Sequence, residues 1–214
     1  MGYDQNCISV NSQSMKDAAH PKTNRDAILD ATDRLLARFG YKKMTIDDLA
    51  KEVGIGKGSV YLHFESKEDI ALSHIDRIIE RLKAALFAIA QSKASPETRL
   101  RKMLIERVML RFDSVQHYSQ SLNELLAQLR PRLLERRKRY FEEEARIFAR
   151  VVADGKASGI FKVKDPEECG RTLLDATNAL LPYSLSAYEL GERNEIEKKA
   201  SRVADLILNG LIKR

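Results

Sequence analysis

The sequence predicts an all-α fold, and three observations carry that reading. Glycine and proline are scarce, at 10 and 5 of 214 residues, while the strong helix formers Ala, Leu, Arg, Lys and Glu are abundant. Apolar residues recur at three- and four-residue spacings through most of the chain, as one buried helix face requires. No strand-like alternation runs long enough to compete, and no internal repeat is visible. With 43% apolar and 32% charged residues, the composition is that of a soluble globular chain long enough to bury a real core. No apolar run approaches the roughly 20 residues that cross a bilayer. The first residues lack the basic start and apolar block of a secretory signal. Cys7 and Cys169 stand far apart, without the paired spacing of zinc or redox sites, which suits two incidental thiols in a cytosolic protein.

Residues 1–21 are polar and patternless and read as a flexible arm, with Met15 an alternative start. The first helix runs from Thr23 to Phe39. Thr23 caps it with Asp26 three residues on, Ile28, Ala31, Leu35, Leu36 and Phe39 form its apolar stripe, and Gly40 ends it. A short helix opens at Thr45, whose hydroxyl can accept from an orphan amide while Asp48 suits the positive end of the helix. Ile46, Leu49, Ala50 and Val53 share its inner face, and Gly54 stands where a left-handed exit is needed. Lys57 to Phe64 resumes helical spacing, with Val60 and Phe64 inward and Lys57, Ser59, Tyr61 and His63 outward. Ser66-Lys67-Glu68-Asp69 caps a helix that can run unbroken to about Ala90, a rod of about 36 Å.

Ser95 and Pro96 start the next helix, which carries Leu100, Met103, Leu104, Val108 and Phe112. Tyr118 to Leu129 is a further helix, and Pro131 interrupts before a long one from Arg132 to about Ser158. Gly159-Ile160-Phe161 opens a loop that Asp165-Pro166-Glu167-Glu168 closes as a helix start. The last two helices are expected from about Pro166 to Leu190 and from Glu195 to Leu211.

Thr45 to Lys67 is the stretch the chain is built around. Two short helices meet at a glycine turn, Ala50 lets the second cross close to the first, and Val60 seats it. That is the recipe of a helix-turn-helix, whose second helix can enter a DNA major groove. The pattern extends beyond the motif, through Ala27-Ile28-Leu29-Asp30-Ala31, Leu36-Ala37-Arg38-Phe39-Gly40-Tyr41, Met44 to Ala50 and Lys57 to Phe64 into Ser66-Lys67-Glu68-Asp69. Over about a quarter of the chain it resembles the DNA-binding domain of the tetracycline-repressor (TetR) family of bacterial transcription regulators.

The resemblance implies an N-terminal three-helix helix-turn-helix domain at 22–68 and a C-terminal helical ligand-binding and dimerisation domain at 69–214. It implies a cytoplasmic, ligand-responsive, sequence-specific regulator, a repressor released from operator DNA by a small molecule. Lys57, Gly58 and Ser59 then form the turn that points at base edges: Lys57 can donate to guanine, and Gly58 removes a side chain that would hold the backbone off. Tyr61 and His63 are expected on phosphates, the alternative being that they pack inward. Thr45 and Lys67 sit at helix N-termini, where free amides favour a phosphate.

For the second domain, the resemblance implies a homodimer through the last two helices and a small-molecule effector. Leu173, Leu174, Ala176, Ala179, Ile196, Ala204 and Leu208 suit such a seam or an ordinary core. Candidate pocket residues are Phe87, Met103, Met109, Phe112, Tyr118, Phe148 and Tyr183, since Met and aromatics adapt to irregular apolar ligands, with Asn178 as a polar partner. The run Arg130-Pro131-Arg132 and Arg136-Arg137-Lys138-Arg139 has two readings. It could draw an anionic effector, but the expected one is a solvated face answered by Glu142, Glu143 and Glu144 a turn later.

The net charge of +6 does not itself argue for nucleic acid. Residues 16–70 hold ten Lys or Arg against ten Asp or Glu, whereas residues 91–140 hold twelve against five. A basic DNA face must therefore arise by segregation, with Lys42, Lys43, Lys57 and Lys67 on one side. An enzyme is not expected: there are four His, no Gly-rich phosphate loop, no nucleophile elbow and no metal-ligand spacing, and no cofactor is implied.

Overall fold

The structure, a computed structural model, describes residues 23–116, 119–182 and 191–212. The arm at 1–21 lies outside them. The described residues form α1 (Asn24–Lys43), α2 (Ile46–Val53), α3 (Lys57–Tyr61), α4 (Lys67–Ala90), α5 (Pro96–Val115), α6 (Ser119–Ala157), α7 (Pro166–Asn178) and α8 (Arg193–Leu211). Among them the only extended pairing is an isolated bridge between Phe161 and Ile212. No helix among the described residues is long and apolar enough to cross a membrane.

Local chemistry places the helix ends. Thr23 and Thr45 each close a full capping box, with Asp26 and Asp48 as the returning carboxylates. Ser66 accepts from the Asp69 amide at 3.1 Å, and Ser95 from the Thr98 amide at 3.2 Å. Gly54 leaves α2 at φ 76°, the left-handed exit that a Cβ would strain. Gly40, at φ 71°, breaks helical geometry where the sequence places an end, but one further turn follows and returns Tyr41 to the interior.

Two expectations fail in the second half. Pro131 does not divide two helices: it sits inside the 39-residue α6, about 58 Å long. A mid-helix proline costs about 3 kcal/mol. Its ring is on the exposed face, while Leu125, Leu129, Tyr140 and Phe148 on either side of it are buried, so packing holds the helix through the missing bond. Conversely, α7 stops at Asn178 rather than near Leu190, and the chain turns through Ala179–Leu181. Pro182 has no N–H to give the Asn178 carbonyl, so the helix ends four residues before it. Residues 183–190 lie outside the described set.

The core falls into two clusters. One joins Ile28, Leu29, Leu36, Met44, Leu49, Val60 and Ile70 of the first four helices to Val108, Met109, Phe112, Leu125, Leu129, Leu181 and Ile196. The other, at the far end of the bundle, packs Leu82, Leu86, Leu100, Met103, Phe148, Val151, Leu173, Leu174, Ala204 and Leu208. α6 and α7 cross so closely that a Cβ on Gly170 would lie 2.7 Å from the Ala145 carbonyl oxygen. The residues offered for a dimer seam divide accordingly. Leu173, Leu174, Ile196, Ala204 and Leu208 are spent on this chain's own core, whereas Ala176 and Ala179 remain exposed.

Candidate nucleic-acid interface and effector cavity

α3 is seated by Val60, fully buried, with Phe64 just beyond its end turned inward and Arg25 stacked over that ring at 5.2 Å. Helical geometry then forces the intervening positions outward. Tyr61 is 50% exposed and Leu62 83% exposed, and Lys57, Gly58 and His63 are exposed with them, Ser59 less so. Tyr61 and His63 thus do not take the inward alternative. Leu62 was missed by reasoning from residue types. Its signal was positional, since fixing Val60 and Phe64 inward leaves the leucine between them on the open face.

Gly58 stands on an open face, and no contact among the described residues requires a glycine there. Its φ is not positive, and a Cβ built on it would meet nothing within 4 Å. A glycine in a helix costs about 1 kcal/mol against alanine.

The basic face is thinner than its lysines suggest. Lys57 Nζ lies 2.9 Å from Asp47 Oδ2 across the turn, and that hydrogen bond raises its pKa. The pair is exposed on both sides, so it is cheaply broken. Lys67 differs from the expectation for its side chain. Its ammonium donates to the carbonyls of Tyr41, Lys42 and Met44 at 3.1, 3.3 and 3.2 Å and lies 4.6 Å from the Tyr41 ring centre. It faces the α1–α2 junction, not an outer surface. Thr45 is exposed, but its hydroxyl donates to Asp48 within the capping box.

α4 is staked on both flanks. Arg77 reaches Asp30 on α1 at 2.7 Å, Arg136 of α6 pairs with Asp76, and Arg132 of α6 comes within 3.7 Å of Glu68. Between α4, α5 and α6 lies a cavity of about 210 Å³. Its walls are Ile75, Ile78 and Ile79 from α4, Arg111 and Val115 from α5, and Leu125, Leu126, Arg130, Leu133, Leu134, Arg137 and Tyr140 from α6, with Pro182 at one side.

None of the expected pocket residues that the structure describes borders it. Met103 and Phe148 fill the far cluster, and Met109 and Phe112 fill the cluster shared with the first helices. They are bulky apolar groups at helical spacing, and close packing uses them as core. Phe87 is 40% exposed under Arg150. Tyr118 and Tyr183 lie outside the described residues. Asn178 instead accepts from Arg107 at 2.9 Å.

That contact belongs to a buried charged cluster the sequence did not single out. Arg107 and Glu144 are each 1% exposed, with Nε to Oε2 at 3.0 Å, and Arg111 pairs with the second oxygen of Glu144. Burial pushes the Glu144 pKa up, but the Arg111 and Arg107 guanidiniums outweigh it and hold the carboxylate below its ordinary value. The neighbouring acids are also committed elsewhere. Glu142 pairs with Arg171 at 3.2 Å and Glu143 with Lys83 at 2.7 Å, and along the same helix Arg139 approaches Glu143 at 3.9 Å.

Comparison with known proteins bears on both halves. The family described as bacterial regulatory proteins, tetR family, matches residues 28–73, and the tetracyclin repressor-like C-terminal domain matches residues 132–204. The HTH-type transcriptional regulator EthR of Mycolicibacterium smegmatis is 36% identical over 77 residues, covering 36% of this chain and 36% of that protein. An uncharacterized HTH-type transcriptional regulator from the lacX 3′ region of Lactococcus lactis is 33% identical over 84 residues, 39% of this chain and 43% of that one. The chain thus spans less than half the length of these curated relatives. The solved TetR/AcrR-family regulator of Thermobifida fusca is alike over 87% of this chain and 97% of its own, at 25% identity and TM-score 0.62. With both halves matched in one order over more than half of its length, the chain belongs to the TetR family of bacterial regulatory proteins.

Proposed function

We propose that the chain is a sequence-specific DNA-binding repressor that acts in the cytoplasm as a homodimer and leaves its operator when a small molecule enters the α4–α5–α6 cavity. The observation that carries the DNA half is Gly58, a helix-weakening residue on an open face with no internal contact to account for it. In this reading residues 22–68 bind DNA and residues 69–214 bind effector and partner. Lys57 and the Gly58–Ser59 backbone read base edges, and the exposed Leu62 offers an apolar surface of the kind that meets a thymine methyl. Tyr61, His63 and the α2 amides behind Thr45 take phosphates. The partner lies along the exposed faces of α7 and α8, where Ala176, Ala179 and the 75% exposed Leu206 stand.

The cavity supplies the switch. Its α4 wall belongs to the helix whose first residue clamps the α1–α2 junction, so spreading the wall moves the reading head. Tilting a 36 Å rod by about 5° displaces its tip by about 3 Å, enough to spoil the register of two helices one DNA turn apart.

A second reading has an observation of its own: with Lys57 on Asp47 and Lys67 turned inward, the head is weakly basic and could serve a helical adaptor that no longer binds DNA. A salt titration of DNA binding separates the two. Repression predicts that log affinity falls steeply with log salt, by about 0.9 for each phosphate neutralised. A flat response would favour the adaptor.

A further inference from the structure

The cavity has a chemical character that the effector reading above leaves open. Its body is aliphatic, from Ile75, Ile78 and Ile79 on one side to Leu126 and Leu133 on the other. Its polar groups are one-sided. Arg111, Arg130, Arg137 and Tyr140 border it, and no Asp or Glu does among the described lining residues. Arg130, Arg137 and Tyr140 follow one another on α6 at spacings of seven and three, which places them on one helix face, with Arg111 opposite on α5.

Two of these groups are buried with unused hydrogen-bonding capacity. Tyr140 is 5% exposed and its hydroxyl has no partner among the described residues. Arg111 is 6% exposed and its Nε–H likewise lacks an acceptor. Arg111 also shares the Glu144 carboxylate with Arg107, so one acid serves two buried guanidiniums. Buried polar hydrogens are nearly always satisfied, and a missing acceptor is costly. Both groups can donate, and both border the same apolar space.

We infer that the ligand of this cavity is an amphipathic monocarboxylate, its apolar body against the isoleucines of α4 and its carboxylate accepting from the Tyr140 hydroxyl and Arg111, with Arg130 and Arg137 drawing it in. The cavity of about 210 Å³ lies below the roughly 300–1,000 Å³ of pockets for drug-sized ligands, which fits a short body with one charged end. A phosphate-bearing ligand would bring two charges where two donors wait. A neutral carbonyl could accept from the same donors but would leave the guanidinium charge of the wall unanswered.

The inference rests on the cavity being the effector site, and the test keeps the two apart by measuring binding and operator occupancy together. Octanoate and its neutral amide, octanamide, are titrated calorimetrically into the full chain with and without selected DNA. Octanoate is expected to bind about 10- to 100-fold more tightly than octanamide. Tyr140→Phe, which removes only a hydroxyl, is expected to weaken octanoate several-fold and octanamide distinctly less, because the bond to a carboxylate is the stronger one. Arg111→Gln is expected to abolish the preference. If that buried variant does not fold, Tyr140→Phe decides. Equal affinity for acid and amide overturns the inference, as does failure of octanoate to bind in the millimolar range, or octanoate affinity unmoved by Tyr140→Phe. Octanoate that binds with the expected preference but leaves DNA occupancy unchanged upholds the carboxylate site and removes the effector reading instead.

Discussion

Gly58 separates two demands that usually coincide. Alanine there meets no atom of the chain and gains helix propensity, so Gly58→Ala is expected to stabilise the fold by up to about 1 kcal/mol in chemical denaturation. In the proposed DNA-bound mode the same methyl group would hold the α3 backbone off a base pair, and operator affinity in a gel-shift or anisotropy titration should fall by about tenfold or more. A variant both more stable and unimpaired in binding would mean that α3 does not approach DNA at this residue. His74 offers a different residue-scale test. Burial pushes its pKa down to about 4, partly opposed by Asp33, whose Oδ1 is 3.6 Å from Nε2. The unfolded chain therefore takes up the proton first. The contribution of neutral His74 is complete above about pH 6.5 and is lost as pH falls towards 4. Between pH 7 and 5, denaturation should show a loss of roughly 2 kcal/mol that His74→Gln does not share. Helical spacing alone put Lys57, Ser59, Tyr61 and His63 outward, and of these Ser59 is half-buried while the other three are exposed. Spacing could not show that Lys67 points inward, because its aim depends on three carbonyls at the end of α1 and in the turn after it.

At the scale of elements, the proposed switch relies on the junction held by Lys67 to carry any motion of α4 to α2 and α3. Lys67→Met keeps the stem and removes the charge, and is expected to cost about 1–3 kcal/mol in denaturation. The slope of log affinity against log salt should stay as it is. A slope shallower by about one unit would instead place the Lys67 ammonium on a phosphate. Capping boxes, Ser-Pro starts and the Gly54 exit were legible because each is a local contest settled within four residues. Pro131 and the end of α7 were misjudged for the opposite reason. Packing of α6 against α1, α4, α5 and α7 outweighs a local proline penalty, while Pro182 withholds the amide that would carry α7 past Asn178 and Leu181 is buried in the turn that follows. The cavity was half legible. Its arginines stood out as a run, but the acids expected to answer them are drawn to Lys83, Arg107, Arg111 and Arg171 on other helices, which no same-helix spacing reveals.

For the whole molecule, the buried core is not divided where the sequence places a boundary near residue 68. One cluster runs from Ile28 in α1 to Ile196 in α8, so the reading head and the upper part of the bundle are packed as a unit. A shift of α4 at Ile75 or Ile79 is then transmitted through close-packed side chains rather than across a flexible linker. Coupling of this kind is reciprocal: whatever factor a bound carboxylate takes from operator affinity, operator must take from carboxylate affinity. The central claim is that α3 is presented outward twice, by two copies of this chain, at a separation matched to successive major grooves. Sequencing the DNA fragments that the purified protein selects from a random pool tests it most directly. The account predicts an inverted repeat whose half-site centres lie about 10 base pairs apart, or a multiple of that. Absence of any enriched sequence, or enrichment of a single unrepeated motif, would contradict it.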